Sequence, residues 1–117
     1  MSKVTLIDLL IRRKEKWREY FKNPVRFAKI IKNIALKYDE KAKIILFGSI
    51  VKNTSGPESD IDVLVITNLA RDTTRRIKLR TEIMKTLGED TPFEIHIVTV
   101  DEYRNWFRRF LDKYVEI

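Results

Sequence analysis

Two short apolar runs, Lys43–Phe47 and Ile61–Thr67, are each marked by polar residues at one end. Gly48-Ser49 closes the first, and Ser59-Asp60-Ile61-Asp62 opens the second. Along an extended strand, residues i and i+2 share a face, so Asp60 and Asp62 project together while Ile61 points the other way. A turn of the Gly56-Pro57-Glu58-Ser59 stretch accounts for Asp60 as a strand-entry cap. It does not account for Asp62, which breaks an otherwise apolar strand. A buried, unpaired carboxylate is costly, so this strand must present Asp62 to solvent or to a cation.

Two carboxylates converging on one spot repel each other unless a cation sits between them. Hard oxygen ligands beside a small-residue turn suit Mg²⁺ carrying a nucleoside triphosphate. Gly48 allows positive φ or close backbone approach to a ligand. The amides after it can form a nest for phosphate oxygens, with the Ser49 hydroxyl adding a hydrogen bond. Gly-Ser is also among the commonest loop dipeptides, and alone it carries little weight. Lys52 lies three residues past Ser49, within reach of a bound phosphate, or is simply a solvated surface lysine. A two-metal site needs a third carboxylate. Glu94 is the best candidate, at the start of a third strand. Alternation there puts Glu94, His96 and Val98 on one face and Ile95 and Ile97 in the core. The simpler alternative is an exposed glutamate on an edge strand. His96, the only histidine, falls near the site on the same alternation, although a lone strand histidine is more often structural.

The rest of the chain reads α-α-β-β-α-β-α. Leu6, Leu9, Leu10, Trp17, Tyr20 and Phe21 recur at helical spacing between Lys3 and Lys22. Asn23-Pro24 restarts the chain, Asn as a cap and Pro at the first helical position. A second amphipathic helix with Phe27, Ile30, Ile31, Ile34 and Tyr38 then ends near Tyr38. Asp72 caps a third helix that buries Ile77, Ile83, Met84 and Leu87 and stops at Gly88. The third strand runs Phe93–Val98 or on to Val100. Thr99-Val100-Asp101-Glu102 has capping-box spacing and begins a last helix, with Tyr103, Trp106, Phe107, Phe110 and Leu111 on its apolar stripe. These elements predict an α+β fold: a small mixed sheet with helices on one face and the other face open.

At 117 residues the chain is one domain, with residues 1–22 a helical extension. Its net charge of +7 favours an anionic partner. With no cysteine it has neither a disulfide framework nor a thiolate site. No run of apolar residues is long enough for a membrane span and no signal-peptide pattern is present, so the expected location is the cytoplasm. The absence of glutamine and cysteine alongside abundant Lys, Arg and Glu is a heat-adapted composition.

The run Leu46-Phe47-Gly48-Ser49 through Ser59-Asp60-Ile61-Asp62-Val63-Leu64-Val65 resembles the Gly-Ser, spacer, Asp-x-Asp signature of minimal nucleotidyltransferases of the DNA-polymerase-β superfamily. The flanking strands and the strand bearing Glu94 extend the resemblance over most of residues 25–111. It implies a polymerase-β-type nucleotidyltransferase fold, with Asp60, Asp62 and Glu94 binding two Mg²⁺ ions and the Gly48-Ser49 turn holding the triphosphate; Lys52 and Ser59 are the further nucleotide-binding candidates. Lys52-Asn53 stands where the family commonly has Arg-Gly, and Lys cannot grip phosphate bidentately. Free-standing domains of this size resemble the antitoxin of HEPN–nucleotidyltransferase toxin–antitoxin pairs. That resemblance implies transfer of AMP from ATP to a hydroxyl of a HEPN partner, commonly a tyrosine. Competing readings are nucleotidylation of a small molecule in a pocket completed by a partner chain or homo-oligomer, and a non-catalytic antitoxin that only binds nucleotide or partner. The basic clusters Arg12-Arg13-Lys14, Arg71 to Arg80 and Arg104 to Arg109 would serve an acidic partner or RNA, or are solvated helix faces. Nothing resembles a template-holding domain, which argues against nucleic-acid polymerisation.

Overall fold

The computed structural model describes residues 4–48, 51 and 60–117. Helices α1 (Leu6–Lys22) and α2 (Pro24–Tyr38) precede strands β1 (Lys43–Phe47) and β2 (Ile61–Ile66). A 3₁₀ turn, Asn68–Arg71, leads into α3 (Thr73–Leu87), followed by β3 (Phe93–Val98) and the short α4 (Val100–Asn105). After a second 3₁₀ turn at Phe107–Arg109, the chain ends in β4 (Tyr114–Glu116). The sheet order is β3-β2-β1-β4, with β1 antiparallel to β2 and β4, and β2 parallel to β3. This is the mixed α+β architecture expected.

One sheet face is the main core. Ile44 and Leu46 of β1, Ile61, Val63 and Val65 of β2, and Ile95 and Ile97 of β3 pack beneath Ile31, Ile34 and Ala35 of α2 and Leu79, Ile83 and Leu87 of α3. The other face is not bare. Ile45, Leu64, Ile66 and Val98 form a second, smaller cluster there, covered by Val100, Tyr103, Phe107 and Leu111. The end carrying Asp62 and Glu94 stays polar. Among the described residues, no helix is long and apolar enough to cross a membrane.

Several local expectations need correction. α1 starts at Leu6, not Lys3, because Thr5 and Asp8 form a capping box: the Thr5 Oγ1 accepts from the Asp8 N–H at 3.2 Å, and the Asp8 carboxylate accepts from the Thr5 N–H at 3.1 Å. Pro24 does open α2, but Asn23 makes no side-chain cap; its amide donates back to Glu19 at 3.1 Å instead. In α3 the buried stripe is Leu79, Ile83 and Leu87, spaced by four residues, which leaves Ile77 and Met84 exposed on the neighbouring face. The last helix is cut short at Asn105, so Trp106 and Phe110 are exposed rather than part of a helical stripe. The final strand was not expected at all. Three exposed residues carry no burial pattern, and β4 exists because β1 offers it a free edge, continued by the Ile117 N–H donating to the Ile44 carbonyl at 2.9 Å.

Part of the basic Arg71–Arg80 cluster is structural. The Arg76 guanidinium donates to the Ala70 carbonyl and pairs with Glu102 at 3.1 Å, and Arg80 donates to the Ile95 carbonyl at 2.7 Å, occupying the outer edge of β3. The predicted capping box at Thr99 forms, and the Thr99 N–H donating to Glu102 holds that carboxyl below its usual value of 4.5, against the opposing effect of burial and with help from Arg76. A lowered folded-state pKa contributes stability that is present above the ordinary value and lost as the pH falls through the folded one. Glu102→Gln is therefore expected to flatten the loss of stability in the acid range. Because the side chain is 45% exposed, the effect stays below about 1 kcal/mol. Urea titrations of both proteins at neutral pH and below pH 4.5 measure it.

Candidate active site

The polar end of the second face is built by register. Phe47 of β1 stands opposite Asp62 of β2, and Asp62 stands beside Glu94 of β3, so the three form one row across the sheet. Alternation does the rest. Ile61 and Val63 point into the main core, fully buried, and Ile95 and Ile97 follow them, which leaves Asp62, Glu94 and His96 on the opposite face. Asp62 is the second residue of its strand, near the rim. Two residues further on, Leu64 on the same face is fully buried beneath the second cluster.

The carboxylates of Asp62 and Glu94 and the imidazole of His96 each offer a ligand atom, and these lie within 4.8 Å of one another. His96 Nε2 is 3.5 Å from Asp62 Oδ1 and 3.8 Å from Glu94 Oε1. The imidazole is held between two rings, with centroids 5.8 Å from Phe47 and 5.9 Å from Phe107. Those rings mark the boundary where the apolar cluster gives way to the acidic rim. A cleft of about 310 Å³ runs alongside, between β3 and α3, with Glu94, His96 and Arg80 in its wall.

Gly48 adjoins the same cluster from β1. Its φ is +86°, which L side chains rarely adopt, and a Cβ at that position would overlap Asp62 Oδ2, with Asp62 Cγ only 3.3 Å away. The backbone therefore passes directly beside the Asp62 carboxylate, and only glycine leaves that space. The turn begins with the Val51 N–H donating to the Gly48 carbonyl at 3.2 Å.

Of the residues expected at the site, the structure brings Gly48, Asp62 and Glu94 together. Asp60 sits just ahead of the first paired residue of β2, is exposed, and lies outside the three-residue group. Ser49, Lys52, Asn53 and Ser59 lie outside the described residues. His96 belongs in the cluster although the metal set did not include it, and the alternation of β3 was the signal for it. Phe107 was read as part of a helical stripe, and nothing in its spacing announces its contact with His96.

The donors fit a divalent cation. Mg²⁺ is typically held by one or two carboxylates together with substrate phosphates and waters, and two carboxylates on adjacent strands supply that number. A neutral imidazole adds a nitrogen donor that other divalent metals also accept.

Known proteins share this fold. A crystal structure described as that of a candidate nucleotidyltransferase is 36% identical, with a TM-score of 0.66, and the match covers 76% of this chain and 95% of the other. A second such structure, from Sulfolobus solfataricus, covers 99% of this chain and 87% of the other at 14% identity and a TM-score of 0.55, a likeness of fold alone. No curated protein matches the sequence. The family model for the nucleotidyltransferase domain matches residues 26–114, from α2 to the first residue of β4, and so takes in both acidic strands and the glycine turn. With that span and that cluster, the chain belongs to the nucleotidyltransferase domain family.

Proposed function

We propose that this nucleotidyltransferase moves AMP from ATP to a hydroxyl group of a partner protein, with Mg²⁺ held by Asp62, Glu94 and Asp60. The observation that carries the reading is the meeting of Asp62 and Glu94 beside the positive-φ Gly48 at the open end of the sheet. Bound there, the metal would neutralise triphosphate charge and lower the pKa of the acceptor hydroxyl. Gly48 leaves room for the Asp62 carboxylate to lie against the backbone at the turn, and Ser49, Lys52 and Ser59 complete the nucleotide-binding set. Asp60 enters the metal set from the Asp-x-Asp signature. Phe47 and Phe107 hold the His96 ring so that Nε2 faces both carboxylates, where it can accept or return a proton. The acceptor oxygen bonds to the α-phosphorus, the bond to the β-phosphate oxygen breaks, and pyrophosphate leaves.

For the acceptor, we propose a HEPN-type toxin encoded beside this chain, which would make the chain its antitoxin. The support is the resemblance of the Gly-Ser, spacer, Asp-x-Asp signature to that of such antitoxins. The test is incubation with α-labelled ATP, Mg²⁺ and the product of the neighbouring gene. Label on the partner, lost when Mg²⁺ is chelated, is the expected result. A tight complex without label would overturn transfer in favour of plain binding.

A further inference from the structure

A second cleft, of about 450 Å³, opens at the other end of the sheet from Asp62 and Glu94. Lys43, the first residue of β1, pairs with Ile66, the last of β2, which lies on the same face as Asp62 and about 13 Å further along the strand. The floor of the cleft is apolar: Ile66 is buried, with Val100 and Tyr103 half-buried beside it. Lys41, Lys43, Arg104 and Arg108 stand around that floor, all exposed, and among the described residues none of the four is in an ion pair. Asp39 also lines the wall, but its carboxylate is already engaged, accepting from the Thr67 hydroxyl at 2.7 Å and from the Lys41 N–H at 2.9 Å. The Asn68 Oδ1 accepts from the Val100 N–H at 3.3 Å, which leaves its amide N–H groups as donors to the cleft. Nearby, Arg71 pairs with Asp101 at 3.4 Å and Arg76 with Glu102 at 3.1 Å, so the uncompensated charge is gathered in the cleft and not spread along the helix faces.

We propose that this cleft binds a nucleoside phosphate, at a site separate from the acidic end and independent of the transfer reaction assigned there. Four cations crowded around one opening repel one another, and a bound anion relieves that repulsion. Two arginines supply planar forks that match phosphate oxygens bidentately, and two lysines add point charges. An inorganic anion would satisfy this rim and leave the apolar floor in water. A nucleoside phosphate uses both parts, its base against Ile66, Val100 and Tyr103 and its phosphate among the cations. An apolar lining with a few convergent polar groups, in a volume between about 300 and 1,000 Å³, is the usual form of a small-molecule site. The two ends of the sheet also differ in what they require. Asp62 and Glu94 repel a nucleotide that carries no metal, whereas the basic cleft needs none.

Titration of the full chain with AMP in the presence of EDTA, followed by amide chemical shifts in NMR, tests this. The expected result is saturable shifts at Lys43, Asn68, Arg104 and Arg108, with Asp62 and Glu94 unmoved. Adenosine and inorganic phosphate, titrated separately, should each bind more than about tenfold more weakly than AMP, because each uses only one part of the cleft. The Arg104→Gln, Arg108→Gln double variant should keep its circular dichroism, since both side chains are exposed, and lose more than about tenfold in AMP affinity. The map on the unsubstituted chain does not depend on that variant folding. Absence of shifts, shifts confined to Asp62 and Glu94, or an unchanged affinity in a folded double variant would each overturn the site. Inorganic phosphate binding as tightly as AMP would overturn the nucleoside, and a single-stranded RNA binding more than about tenfold more tightly than AMP would give the cleft to nucleic acid instead.

Discussion

Asp62→Asn is expected to abolish nucleotidyl transfer while leaving the fold intact and at least as stable as before. The substitution keeps shape and volume but removes the charge a divalent cation needs. Losing a group that merely orients a metal ligand costs about 10–100-fold, so losing the ligand itself should exceed the upper end of that range. Stability should move the other way. Asp62 and Glu94 stand side by side on parallel strands, and neutralising one of two adjacent carboxylates relieves repulsion worth up to about 1 kcal/mol. Transfer of label from ATP, measured beside a thermal melt, separates the two effects. Full activity in this variant would remove Asp62 from the chemistry, and a large drop in Tm would mean that it serves the fold.

Gly48→Ala should damage both stability and activity, and comparison with Gly88→Ala tells the two causes apart. Both glycines have positive φ, +86° and +103°. At Gly88, ψ is 153°, a region essentially reserved for glycine, so alanine there costs about 1–3 kcal/mol. Its Cβ would meet nothing nearer than the Tyr20 hydroxyl at 3.6 Å. At Gly48 the left-handed backbone costs about 1–2 kcal/mol, and the new methyl must also displace the Asp62 carboxylate. For a domain of this size each kcal/mol lowers Tm by about 4 °C. Both variants should melt lower, but only Gly48→Ala should lose activity per folded molecule. Equal specific activities would show that the position of the Asp62 carboxylate against Gly48 is not needed.

Most of the secondary structure was legible because it rests on local chemistry. The capping residues Asp72, Gly88 and Thr99 and the proline at residue 24 set helix ends through hydrogen bonds and φ restrictions acting within a few residues. The same holds for the second carboxylate. Alternation along Phe93–Val98 required Glu94 and His96 to leave the core on one face, and they do. Where the reading failed, the deciding partner was distant in sequence. Spacing alone offered Ile77 and Met84 as buried side chains of α3, but the roll of the helix on the sheet put Leu79 inside in their place. The strand β4 answers to an open edge about seventy residues earlier in the chain.

What the sequence determined by itself was that Asp62 could not be buried, that Gly48 was free to turn, and that a carboxylate on a later strand had the right parity to join them. Tertiary structure decided that β3 lies parallel to β2 in the register that sets Glu94 beside Asp62, that His96 fills the gap between Phe47 and Phe107, and that Asp60 stands apart from this group. The division has a simple cause. Parity within a strand is a property of a few adjacent dihedral angles, whereas register between strands depends on how whole buried faces fit together.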